Sequence, residues 1–245
     1  MKAFHLALLA TAVLSAPSLA QEDWRREAAA ALPETGELHL QLLYEDEADG
    51  FMRLGWQRDD EGGVLRYYDR TMWASPEIYE TMGASVDLET LAPIDVAIRF
   101  HQQSAILSVE AVAQDGVMTG GRSIIQPFVG EQAAPINVPV TEGMVMREAV
   151  FLLAQTLPLE AGDSISFDWF ASMAGTAASV TITAVDGGRI DTLSGRHDTI
   201  RLELRGSVPE NDIYVTDTDG VRQVVRIDVL GQPMRFEALP VPAED

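Results

Sequence analysis

Hydrophobic and polar residues alternate along most of this chain, as they do in β-strands that have one face against a core. The alternation is clear at 37–44 (ELHLQLLY) and returns at 51–58 and 64–72, after the acidic turns 45–50 and 59–63. Three strands joined by two short turns form a meander. Further strand patterns occur at 93–101, 105–113, 117–125, 164–170, 178–185, 198–205, 212–216 and 222–229. The chain therefore predicts roughly ten to thirteen strands, a number typical of sandwiches and barrels.

One stretch departs from this alternation. Between 147 and 156 there is neither Gly nor Pro, and apolar side chains recur at steps of three and four residues, which predicts a helix near 144–157. The stripe consists of Met146, Ala149, Val150, Leu153 and Leu157, and Phe151 and Leu152 widen it. We expect Thr141 to cap the start of the helix and Pro158 to end it.

A lone, very apolar helix in a β-rich chain needs a sheet to cover it. The strand pattern that follows, Ser164–Phe170, places Ile165, Phe167 and Trp169 on one side. We predict a mainly β fold, a strongly curved antiparallel sheet that forms an incomplete barrel, with one central helix near 144–157 on its concave face. The alternative is an ordinary helix against a flat sandwich.

Two segments are harder to assign from the pattern. Ser75–Met82 is compatible with a strand or with one helical turn. The segment Gln126–Pro139 contains three prolines and a glycine, which predicts a long irregular crossing before the helix.

The first twenty residues have the pattern of a secretory signal peptide. Lys2 provides the positive start, Ala7–Leu14 is a short apolar run, and Ser18-Leu19-Ala20 is a small-residue cleavage site. We therefore expect cleavage after Ala20 and a periplasmic location. The absence of cysteine fits this compartment, provided that the core alone holds the fold.

The remaining chain is long enough for one sizeable β domain. We predict an N-terminal arm at 21–36, either a short amphipathic helix or a loose segment, a single β-rich domain at 37–240, and an acidic tail at 241–245. The formal net charge of −21 argues against nucleic acid and anionic membranes as partners. We expect a monomer without an integral membrane span.

Catalytic and metal-binding patterns are weak. The chain has no Cys and no Gly-x-Ser-x-Gly elbow, and His39, His101 and His197 do not have the spacing of metal ligands. Asp217 and Asp219 resemble the start of a calcium loop, but the Glu expected at the twelfth position is missing, so a hairpin turn is the better interpretation. We predict no catalytic residues, no metal and no cofactor.

Aromatic residues are spread over many of the predicted strands. If one helix does not fill the curved sheet, some of them would line a cavity for an apolar ligand. The candidates are Trp56, Tyr68, Phe100, Phe151, Phe167 and Trp169. A well-packed core without a cavity is the alternative.

Several short motifs occur in a consistent order between residues 38 and 239. They are Asp69-Arg70-Thr71, Leu91-Ala92-Pro93, Asp115–Gly120, Leu157-Pro158-Leu159-Glu160-Ala161-Gly162 and Tyr214–Asp217 followed by the strand Val224–Val229. In these motifs the chain resembles a family of exported bacterial domains of unknown function, similar in build to the periplasmic lipoprotein carriers. The resemblance implies an incomplete barrel with helix on its inner side and no enzymatic activity. The chain is poorer in helix than those carriers.

The function predicted from the sequence is that of an exported, non-enzymatic protein of the cell envelope that binds an apolar ligand such as a lipid or acyl chain. One alternative is a structural or interaction protein with a filled core, which would bind an envelope protein. Another is a glycan hydrolase that uses two paired carboxylates.

Overall fold

Fifteen strands hydrogen-bond into one sheet in the computed structural model, which describes residues 23–206, 209–218 and 221–240. The first eight are β1 (Thr35–Tyr44), β2 (Glu47–Asp59), β3 (Val64–Trp73), β4 (Ile78–Asp87), β5 (Pro93–Gln102), β6 (Ala105–Gln114), β7 (Val117–Gln126) and β8 (Gly130–Pro139). The others are β9 (Val145–Met146), β10 (Ser164–Ala171), β11 (Thr176–Thr192), β12 (Gly195–Arg205), β13 (Asn211–Thr218), β14 (Val221–Val229) and β15 (Met234–Ala238). The predicted signal peptide and tail, and Asp219, lie outside the described residues.

The strands form a large, curved antiparallel sheet that does not close, so the predicted fold class is confirmed. Each strand from β1 to β8 pairs with the next, and β10 to β15 do the same. Pairing of β1 with β15 joins the two series, and the short β9 is parallel to β10. The edges are β8 and β9. Between these two edges of the sheet, Arg122 of β7 donates a hydrogen bond of 3.1 Å to the Ala174 carbonyl in the β10–β11 turn.

Helix α2 (Ala149–Leu153) lies in the core, as predicted, but it is much shorter than the predicted segment 144–157. Residues 145 and 146 are extended because they pair with Trp169 and Phe170 of β10. The predicted cap is wrong: the N-cap position is Glu148, and the Thr141 hydroxyl instead donates to Asp168 at 3.2 Å. The helix ends before Pro158.

A second helix, α1 (Asp23–Ala31), also packs into the core, where the sequence predicted one central helix. Its buried residues are Trp24, Arg25, Ala28 and Ala29. The Trp24 ring lies 5.3 Å from the Phe167 ring of β10. Of the two alternatives for residues 21–36, the described part adopts the helix, and β1 begins at Thr35.

Both ambiguous segments contain strands. The segment 75–82 turns and then enters β4. The prediction of an irregular crossing at 126–139 is wrong, because Gly130–Pro139 forms β8 and pairs with β7 along its full length. Pro135 and Pro139 are compatible with a strand here because β8 is an edge, where one side of the backbone needs no hydrogen-bond donor.

The C-terminal end of α1 is held by an arginine from β2. Arg58 Nη1 donates to the carbonyls of Ala30 and Leu32, both at 2.7 Å. These carbonyls have no partner within the helix, and a cation at a helix C-terminus is favourable. Arg58 thus ties α1 to the sheet.

We predict that Arg58→Ala lowers the free energy of unfolding by about 2–3 kcal/mol, because hydrogen bonds to charged groups contribute about that much. Urea denaturation followed by circular dichroism measures the change. The control is Arg66→Ala on β3, which removes an exposed ion pair with Asp59 at 3.1 Å and should cost less than about 1 kcal/mol. Equal losses in the two variants would contradict the capping role.

Candidate functional site

A cleft opens in the sheet where β15 is shorter than its neighbours. The pairing of β1 with β15 stops at Leu40 and Ala238, and the pairing of β14 with β15 stops at Arg226 and Glu237. The earlier residues of β1 and β14 therefore flank a gap that β15 does not fill. Leu239 follows β15 into this gap, where its amide donates to the His39 carbonyl at 3.2 Å.

The cleft has a volume of about 980 Å³, which is at the upper end of the range of small-molecule sites. Most of its lining is apolar. The apolar side chains include Leu38, Leu40, Trp56, Leu157, Pro158, Val224, Ala238 and Leu239. The polar lining residues are Glu37, His39, Gln155, Thr156, Arg222 and Gln223. An apolar surface with a few polar groups is the usual composition of a ligand site.

One wall of the cleft is the indole ring of Trp56. Trp56 lies opposite Gly36 in the register of β1 and β2, and a Cβ atom on Gly36 would stand 2.0 Å from the ring. The indole nitrogen donates to the Pro33 carbonyl at 3.1 Å. Glycine at 36 therefore lets the ring lie flat over β1, and the hydrogen bond fixes its orientation.

A second wall is the loop that follows α2, and Arg222 of β14 holds it. Arg222 Nη1 donates to the carbonyls of Leu157 at 2.7 Å and Leu159 at 3.0 Å, while Nη2 pairs with Glu160 at 2.8 Å. This arrangement places Leu157 and Pro158 against the cleft. Because the guanidinium is engaged with the loop, its structural role is to position an apolar wall.

Gln155 provides a polar group at the inner end of this loop. Its Nε2 atom is buried and has no hydrogen-bond partner among the described residues. A buried amide without a partner costs about 1–3 kcal/mol. Gln155 lines the cleft, so an oxygen atom of a bound molecule would satisfy this donor.

Of the six predicted cavity residues, Trp56 is the one that lines this cleft. Phe167 and Trp169 point inward from β10 and are buried, with 5% and 2% exposure. Phe167 contacts the Trp24 ring, and the Arg147 guanidinium lies 5.9 Å from the centre of the Trp169 ring. Both side chains are thus part of the packed core.

The other three predicted residues also lie away from the cleft. Phe100 and Phe151 are partly buried against the core. Tyr68 is on the outer face of β3, where its hydroxyl donates to Glu37. Strand alternation explains this position, because the preceding residue, Tyr67, faces inward and is 3% exposed. The structure therefore does not bring the six aromatic residues together.

Most of the cleft is not predictable from the sequence. Its walls come from β1, β2, β14 and the loop after α2, which are far apart in the chain. Nothing in the sequence of the motif Leu157–Gly162 indicates that it faces a cleft. No hydrophobic period reveals where a strand ends early.

A group of carboxyl side chains inside the sheet, the interior cluster, is also not predictable from the sequence. Asp69 of β3 is 8% exposed and accepts a hydrogen bond of 2.7 Å from the Thr71 hydroxyl. Thr71 lies directly opposite Glu80 of β4. Burial raises the pKa of Asp69 well above its usual range, and Glu80 raises it further. Burial also raises the pKa of Glu80 to about 7, although Arg147 opposes the shift.

The third carboxyl group of this interior cluster is Glu148, which directly precedes α2. It is 5% exposed, it accepts a hydrogen bond from the Ser172 hydroxyl, and it lies 3.7 Å from Arg147 Nη1. Burial raises the pKa of Glu148, while Arg147 and Ser172 lower it in part. One guanidinium thus faces three carboxyl groups, so the cluster retains protons near neutral pH.

The interior cluster does not contribute to the cleft, since none of its three carboxyl groups lines it. Asp69 and Glu148 are buried, and a glycan in the cleft would not contact them. Among the described residues, no three His, Asp or Glu side chains are placed to hold a metal ion. Neither described helix has the length and apolarity needed to cross a bilayer.

No protein-family model matches this chain, and no curated protein sequence matches it. One similar solved structure is a beta-barrel-like protein of the domain of unknown function DUF1849 from Brucella abortus. The two chains share 11% sequence identity with a TM-score of 0.42, over 84% of this chain and 95% of the other.

We predict that the interior cluster makes the protein less stable as the pH rises. Because the pKa of Glu80 rises from 4.5 to about 7 on folding, the folded state binds more protons than the unfolded state in this window. The free energy of unfolding should therefore fall as the pH rises from about 4.5 to 7. Urea denaturation at a series of pH values measures this slope.

Glu80→Gln should flatten the slope and raise stability at alkaline pH relative to the parent protein, since glutamine resembles the protonated acid. Glu131→Gln, an exposed substitution on β8, is the control and should leave the slope unchanged. An unchanged slope in Glu80→Gln would show that this carboxyl group titrates normally in the folded protein.

Proposed function

We propose that the protein is exported to the periplasm and there binds an amphipathic molecule with a long apolar chain, such as a lipid or a free acyl chain, without catalysing a reaction. The apolar cleft beside β15 is the observation that carries this proposal. Its volume of about 980 Å³ accommodates such a chain. The apolar lining residues that still expose surface, Leu38, Pro158 and Leu239, would gain roughly 25 cal/mol for each Å² of apolar surface removed from water.

The Gln155 amide supports an amphipathic ligand over a pure hydrocarbon. An ester, amide or carboxylic acid carries an oxygen acceptor next to its apolar chain, and Gln155 Nε2 is a buried donor without a partner in the described chain. A ligand placed with its chain along Leu38 and Trp56 and its carbonyl at Gln155 would satisfy both parts of the site.

Two further observations support a binding protein over an enzyme. The carboxyl groups with raised pKa values lie in the interior cluster, away from the cleft. The histidine beside the cleft, His39, is in contact with Glu37, which is also engaged by Arg53 and Tyr68. Export is supported by the signal-peptide pattern of residues 1–20 and by the absence of cysteine.

We predict that the protein, purified from the periplasm, binds an apolar fluorescent dye that palmitate displaces. Leu38→Trp should weaken binding at least about tenfold, because the larger ring occupies the cleft. The control is Val112→Trp, because Val112 lies on the outer face of β6 and is 40% exposed. Native mass spectrometry on the same preparations would identify co-purified lipid. Dye binding that is absent, or unaffected by Leu38→Trp, would contradict the proposed site.

Gln155→Leu tests the polar part of the site. Removing the unpaired donor should stabilise the ligand-free protein by about 1 kcal/mol, and it should weaken binding of palmitate about two- to tenfold. Gln223→Leu is the control, because Gln223 also lines the cleft but is exposed. Thermal unfolding and dye displacement measure the two effects. If both variants bind palmitate as tightly as the parent protein does, Gln155 does not form a hydrogen bond to the ligand.

A further inference from the structure

A row of apolar side chains crosses the outer face of the sheet near the end opposite the cleft. Its members lie directly opposite one another in the strand register from β2 to β7. They are Phe51, Met72, Tyr79, His101, Ile106 and Ile125, with His101 as the one polar ring. Met72, Tyr79 and Ile125 are 36%, 42% and 43% exposed. With strands about 4.8 Å apart, the outer row is roughly 24 Å long.

The outer row ends at a projecting apolar hairpin. The turn between β7 and β8 carries Phe128 and Val129, which are the most exposed large apolar side chains among the described residues, at 109% and 61%. Phe128 adopts a positive φ of 67°, an uncommon conformation for a large non-glycine residue. An exposed aromatic residue at the tip of a hairpin gains nothing from folding, and contiguous exposed apolar surface marks an interaction site.

A row of arginines runs parallel to the outer row, two residues away from it on each strand and on the side of the cleft. Arg53, Arg70 and Arg99 occupy matching positions on β2, β3 and β5, and Thr81 of β4 lies between the last two. Two residues of a strand separate the rows by about 7 Å. Arg99 is paired with the exposed Glu110 at 3.2 Å, and the Arg70 guanidinium lies 5.5 Å from the centre of the Tyr68 ring. Such exposed pairs are weak and exchange readily.

We propose that this outer face docks on the surface of a phospholipid bilayer with zwitterionic head groups. The outer row and the Phe128 tip would enter the boundary between head groups and acyl chains, which peripheral elements penetrate by about 5–10 Å. The arginine row then lies at the depth of the lipid phosphates. The Phe128 tip projects from the sheet and the outer row is only one residue wide. This shape can insert into a deformable bilayer, whereas a flat protein surface would contact little of it.

The charge of the protein selects the head group. The net charge is −21, and Glu131 of β8 lies directly opposite Ile125, at one end of the row. A strongly anionic bilayer would repel this chain. A zwitterionic lipid offers phosphate to the arginines without a net surface charge. The outer row lies at the Phe51 end of β2, and the cleft lies at its Trp56 end, so this proposal does not depend on the cleft.

The test is co-sedimentation of the protein, purified from the periplasm, with phosphatidylcholine vesicles. We expect binding, and we expect Tyr79→Ser, Ile125→Ser and Phe128→Ser in one chain to lower the partition coefficient at least about tenfold. The matched control carries Val112→Ser on β6 and Leu193→Ser in the β11–β12 turn, which are 40% and 46% exposed and do not belong to the outer row. It should bind as the parent does.

Further variants separate the components of the surface. Arg70→Gln with Arg99→Gln should weaken binding several-fold, because it removes charge-assisted hydrogen bonds to the lipid phosphates. Phe128→Trp should give a blue-shifted emission when vesicles are added. Leu38→Trp, which blocks the cleft, should leave vesicle binding unchanged, so failure here is distinguishable from failure of the ligand site. Circular dichroism confirms that each variant is folded.

Several results would overturn the proposal. The parent protein could fail to bind phosphatidylcholine vesicles, or the triple variant could bind them as well as the parent does. Binding that requires phosphatidylglycerol would also contradict the proposal. A dimer in analytical ultracentrifugation that the triple variant converts to monomer, without vesicle binding, would assign the surface to a second copy of this chain.

Discussion

The pairing of β1 with β15 is the contact on which the rest of the structure depends. It extends from Leu40 opposite Ala238 to Tyr44 opposite Met234. Through it, the eight strands of the first half and the strands of the second half become one sheet, which can then curve around α1 and α2. The same contact creates the cleft, because β15 is only five residues long and leaves the ends of β1 and β14 apart. The short strand β15 thus both joins the two halves of the sheet and leaves the cleft open.

The sequence predicts the parts of this fold that arise from local chemistry. Alternation marks most strands, and the apolar stripe around Val150 correctly indicates a buried helical segment. The length of α2 was not predictable, because pairing of Val145 and Met146 with β10 removes residues that have good helix propensity. β8 was missed for a related reason, since Pro135 argues against a strand unless the strand is an edge, and edges are decided by the whole sheet.

The functional surfaces depend on register, which composition does not reveal. Tyr67 and Tyr68 are adjacent in sequence, yet one belongs to the core and the other to the surface. The interior cluster needs Asp69, Glu80 and Glu148 from three separate elements. Likewise, the outer row forms because the turns between strands place Tyr79 and Ile125 at the same height. A shift of one residue in any pairing would turn a side chain to the opposite face.

An open sheet of fifteen strands presents a long border to its surroundings, and β8 forms one side of it. Such borders recruit strands from other molecules and start fibrillar aggregates. Pro135 and Pro139 cannot donate from their nitrogen atoms, so an incoming strand finds an interrupted ladder there. The two prolines that obscure this strand in the sequence thus make the β8 edge a poor template for pairing with a second molecule.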